Sequence, residues 1–168
     1  MIDVNAAATN PLVEITLATV FLIGIIIVHG MAMRTVTRRF SAAWVGVNAL
    51  TPRWRVSLIL FLAIGGMVIS HLVETLIWSA PVLALGMLPT LRDSYFFVLE
   101  SYTTLGAGTV DVPDTWRLVG PMIAMSGIFT FGWTGSVLVT IMNEIGKLDR
   151  TQATKDRRES VRREGGAE

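Results

Sequence analysis

The strongest chemical suggestion in the sequence is the stretch Thr103-Thr104-Leu105-Gly106-Ala107-Gly108-Thr109. Its chemistry belongs to the backbone. Successive carbonyls turned toward one axis can replace an ion's hydration shell. That geometry needs a backbone alternating between left- and right-handed conformations, and glycine tolerates positive φ at little cost. Gly106 and Gly108 supply this at alternate positions, and the Thr104 hydroxyl can add an oxygen at the inner end. The expected activity is passive coordination of a monovalent cation, K+ before Na+, by Thr104, Leu105, Gly106, Ala107 and Gly108.

The other chemistry-bearing residues are few. Glu14 and His29 interrupt one apolar run, and His71 and Glu74 interrupt another. His71 and Glu74 are three apart and share a helix face. They read as a structural contact, within the chain or with a neighbouring subunit. A His–Glu pair falls short of the three or four ligands of a transition-metal site. Glu14 is expected at the outer interface and His29 near the inner one, with no special role. The two histidines then sit at opposite ends of different segments, where no nucleophile–base arrangement can be built around them. The chain reads as a non-enzyme with no cofactor, no nucleic-acid partner and no evident small-molecule substrate. It has no cysteine, which excludes disulfides and thiolate metal sites.

These residues must be positioned by membrane-spanning helices. A mean hydropathy of +0.57, with 52% hydrophobic and only 16% charged residues, indicates an integral membrane protein. The predicted fold class is all-α, with three transmembrane helices and a re-entrant pore helix and filter loop between the second and third. Residues 1–33 form an extracellular N-terminus and first span, from about Pro11 to Met33. A signal peptide would carry basic residues ahead of its apolar core, whereas here Arg34 follows it. Residues 34–55 hold Arg34, Arg38, Arg39, Arg53 and Arg55 and no acid, which marks a cytoplasmic or interfacial linker. Phe40 and Trp44 suggest a helix lying in the inner interface, with a plain loop as the alternative.

Residues 56–143 form the pore module. A span from Val56 to Trp78 is followed by an outer turn over Ser79–Leu91. A half-helix then runs from Arg92 to Tyr102. At about 11 residues it crosses roughly half a bilayer, and it has Asp93 in its first turn. After the glycine-rich stretch, Asp111 and Asp114 return the chain to the outer mouth, where they would concentrate cations. Trp116 and Arg117 anchor that interface. A third span from Leu118 to Met142 carries Gly127 as a candidate hinge. Its stripe of Ser126, Thr130 and Thr134 either lines a wet cavity or satisfies neighbouring helices. Residues 144–168 form a charged cytoplasmic tail, expected to be a short helical extension that frays.

From about Ser57 to Met142 the chain resembles the two-transmembrane pore module of the bacterial potassium-channel superfamily, preceded here by an extra helix. The stretch from Thr104 to Gly108 is similar to that family's T-x-G-Y-G filter, with Ala107 where the family has Tyr or Phe. The resemblance implies a homotetramer in the cell membrane, with the N-terminus outside and the C-terminus cytoplasmic. It also implies filter support from Thr103, from Glu100, and from Phe96 and Phe97 in slots where many members have Trp donors. Thr109 replaces the family's Asp after the second glycine, and Asp111 is the available partner for Glu100. These departures leave a weakly selective cation pore, or a non-conducting subunit or sensor, as alternatives.

Overall fold

The computed structural model describes residues 11–48, 50–106, 108 and 110–164, with the backbone alone at 159, 161, 163 and 164. It contains α1 (Pro11–Trp44), α2 (Arg53–Ala84), α3 (Leu91–Tyr102), a short 3-10 turn (Asp114–Trp116) and α4 (Val119–Glu164). No strand occurs among the described residues. Three helices are long and apolar enough to cross a membrane.

The helices outrun the spans read from hydropathy. At 34 residues α1 is about 51 Å long, well beyond a hydrocarbon core of about 30 Å. The Arg34–Trp44 segment therefore continues α1, and no separate interfacial helix forms. Phe40, expected in lipid, is buried against Ile59, Ala63 and Ile141 and stacks on Trp44. α4 likewise runs helically to Glu164, so its charged extension is long where a short one was expected.

Helix ends follow local chemistry. α2 includes Pro81 and stops at Ala84, later than the outer turn expected from Ser79. It closes in a Schellman motif: Gly86, at φ +67°, donates to the Leu83 carbonyl, and Met87 donates to that of Val82. α3 begins with a reciprocal cap, since Thr90 Oγ1 accepts from Asp93 N and donates to Asp93 Oδ2.

Glu14, Ala18, Ile25, His29, Met33 and Phe40 form one buried stripe along α1. Two apolar clusters stack along the bundle. One gathers Ile25, Trp78, Val82, Phe97, Val98, Tyr102, Trp116 and Ile123, and the other gathers Met33, Phe40, Ile59, Met67 and Ile141. Trp116 thus belongs to the interior and does not anchor an interface. On every long helix the residues between the two clusters are polar: His29 on α1, His71 and Glu74 on α2, Thr130 and Thr134 on α4.

Candidate functional site

The glycine-rich stretch leaves the C-terminus of α3 as an irregular strand. Thr104 has φ +60°, Gly106 +58° and Gly108 +64°, while Leu105 between them has negative φ. The left-handed conformation therefore recurs at every second described position. The two glycines adopt it without steric penalty. Thr104 is β-branched, and holding it there costs on the order of 1–3 kcal/mol. Thr103, Thr104, Gly106 and Gly108 are exposed in the single chain, and Leu105 is 70% exposed. Ala107 and Thr109 lie outside the described residues.

Glu100 sits behind this strand and is buried. Its Oε1 accepts from the backbone N–H of Gly108 at 2.7 Å, while its Oε2 has no partner among the described residues. Asp111, the expected partner, is exposed, as is Asp114. The two phenylalanines diverge. Phe97 is buried toward α4, where Gly120 meets its ring, whereas Phe96 remains 43% exposed. Phe97 is therefore committed to helix packing. The expected Ala107 contact with the pair falls outside the described residues. Thr103 Oγ1 donates to the Leu99 carbonyl within its own helix.

Beneath the strand lies a polar ring that the sequence reading missed. His29 Nδ1 is 2.8 Å from Glu74 Oε1. The Tyr102 hydroxyl donates to Glu74 Oε2 at 2.7 Å. His71 Nδ1 is 2.9 Å from that hydroxyl, and His71 Nε2 is 3.0 Å from Thr134 Oγ1. Thr134 Oγ1 closes the circle on His29 Nε2 at 3.3 Å. Thr130 Oγ1 adds a contact to Tyr102 at 2.5 Å. His29 and Glu74 have no exposed surface. The two imidazoles are neighbours, with centroids 5.3 Å apart, and not at opposite ends of their spans. His29 is interior and not interfacial, and the serine–threonine stripe satisfies neighbouring helices, with Ser126 accepting from the Trp78 indole.

His29, His71 and Glu74 bring three potential ligand atoms within 4.8 Å of one another. Ligands at about 2.1 Å around a tetrahedral ion lie roughly 3.4 Å apart. Both carboxylate oxygens of Glu74 are already engaged, so the arrangement is a hydrogen-bonded ring and not a preformed metal cage.

Glu14 is the second omission. It is buried, and its Oε1 accepts from the backbone N–H groups of Leu118 (2.6 Å) and Val119 (3.1 Å). A side chain of α1 thereby caps the start of α4, where unpaired N–H groups and the helix dipole favour a carboxylate. Gly127 also gains a packing role. A Cβ there would lie 2.0 Å from the Tyr102 carbonyl oxygen, so α3 and α4 touch backbone to backbone.

No protein-family model, curated protein or solved structure matches this chain.

Proposed function

We propose that the chain is one subunit of a homotetrameric membrane pore that passes monovalent cations, K+ first, along the backbone carbonyls of residues 104–108. The observation that carries this reading is the left-handed backbone at Thr104, Gly106 and Gly108. A strand with that alternation can direct neighbouring carbonyls toward a common side. A single exposed strand offers only part of a coordination shell, and symmetric copies around an axis complete it. Irregular backbone at membrane depth is tolerated where protein buries it or where it lines a watery path. α3 serves as the re-entrant pore helix, and Glu100 holds the strand through Gly108. Asp111 and Asp114 form the outer mouth, with the N-terminus outside and α4 leading into the cytoplasm.

The position of Phe97 favours a permissive filter as the second reading, because its ring braces α4 and offers no donor to the strand. Both readings are tested in vesicles holding purified protein under opposed potassium and sodium gradients. A reversal potential near that of potassium supports a selective channel, and an intermediate value supports the permissive pore. Absence of flux from protein shown to be tetrameric by native mass spectrometry would refute conduction.

A further inference from the structure

Counting protons around the polar ring gives a result independent of the pore reading. The ring has five contacts: His29–Glu74, Glu74–Tyr102, Tyr102–His71, His71–Thr134 and Thr134–His29. Each contact needs one proton between its heavy atoms. With an ionised Glu74 and two neutral imidazoles, each imidazole supplies one proton, as do the Tyr102 and Thr134 hydroxyls. Four protons serve five contacts, so one buried acceptor is left unpaired. Thr130 brings its own proton to its contact with Tyr102 and does not alter the count.

We propose that this ring is a proton-binding site that holds one extra proton, shared between His29 and His71. With that proton every contact is filled. One imidazolium donates from Nε2 to Thr134 Oγ1, and Thr134 donates onward to the other Nε2. Reversing the Thr134 hydroxyl moves the charge from one ring to the other, with no net change in bonding. The imidazolium and the carboxylate of Glu74 cancel, so the buried site is neutral overall, which is what a low-dielectric interior favours. Imidazole is the stronger base of the two, so the proton resides there and not on Glu74.

The groups facing the site from each element are few. α1 contributes His29, α2 His71 and Glu74, and α3 Tyr102. α4 contributes the uncharged Thr130 and Thr134, with the rings of Phe131 and Trp133 against the imidazoles. The bound proton completes the hydrogen bonds that hold Tyr102, two residues before Thr104.

The chain has only two histidines, so its imidazole nitrogens can be counted directly. The full chain, labelled with 15N-histidine and placed in phosphatidylcholine vesicles at pH 7, is read by solid-state 15N NMR. The expected pattern is three protonated ring nitrogens to one bare nitrogen, changing to two and two in a single step as pH rises. In Glu74→Gln the amide supplies the fifth proton itself, so the ring closes with neutral imidazoles and the pattern becomes two and two at pH 7. Thr134→Val removes the bridge between the Nε2 atoms and with it the need for the extra proton, and it too should read two and two. A wild-type pattern of two and two at pH 7 would overturn the proposal. So would three and one persisting in either variant, or stoichiometric zinc in the purified protein by elemental analysis.

Discussion

Replacing Gly127 by alanine tests the contact between α3 and α4. The added Cβ would sit 2.0 Å from the Tyr102 carbonyl oxygen, 2.9 Å from its carbon and 3.2 Å from the ring. Ordinary contact needs roughly 3.4 Å, so one backbone must yield by about 1.4 Å. Neither is a flexible side-chain tip, because the obstacle is the last turn of α3. The same displacement stretches the Tyr102 hydroxyl bonds to Thr130 and Glu74, now 2.5 and 2.7 Å, beyond hydrogen-bonding range. Overpacking costs about 1–3 kcal/mol, and each buried polar group left unpaired costs about 1–3 more. Better helix propensity returns at most about 1 kcal/mol. The net loss is about 3 kcal/mol or greater, which at about 2–4 °C per kcal/mol lowers the melting temperature by roughly 10 °C. Thermal unfolding in detergent, followed by near-ultraviolet circular dichroism, measures it. Gly24→Ala is the matched control, since nothing lies within 4 Å of its added Cβ, and it should be neutral or slightly stabilising. A Gly127→Ala protein melting within 2 °C of the parent would refute the reasoning, as would an equal loss in the control.

Two further outcomes follow from the buried carboxylates. Glu14→Ala leaves the N–H groups of Leu118 and Val119 unpaired and should cost about 1–3 kcal/mol in thermal unfolding, whereas Glu14→Gln keeps an acceptor and should lose less than half as much. Glu100→Ala removes the acceptor for Gly108 N–H and should cut cation flux in vesicles severalfold while leaving the melting temperature nearly unchanged; undiminished flux would remove Glu100 from the support of the strand.

The spans, α3 and the glycine conformations were legible because each rests on local chemistry. Hydropathy marks the long helices, Asp93 marks the first turn of α3, and alternate glycines mark left-handed backbone. Helix ends were less legible. The arginines after Met33 signal a membrane boundary, but a helix passes through that boundary without stopping, so a change of polarity was mistaken for a change of structure. Thr104 was illegible in a different way. No propensity places a β-branched residue at positive φ, and only the surrounding structure can impose it.

The polar ring was hidden by the uniformity of its helices. An apolar run that faces lipid on one side and protein on the other has no contrasting face to reveal which residues are inside. The ionisable residues are then the remaining signal, because a charge in a span turns toward protein. Glu14 and His29 are fifteen positions apart, which is close to a whole number of turns at 3.6 residues each. That spacing placed both on one side of α1, and His71 and Glu74 share a side of α2. Reading each residue separately as interfacial discarded this phase information. Taken together, two ionisable positions on α1 and two on α2 require an interior polar seam. Its partners must come from the stripe of Ser126, Thr130 and Thr134 and from the one tyrosine adjoining the glycine-rich strand. The first helix is therefore keyed to the rest of the chain at two depths, by Glu14 at the start of α4 and by His29 in the ring, and the strand at Thr104 rests on both.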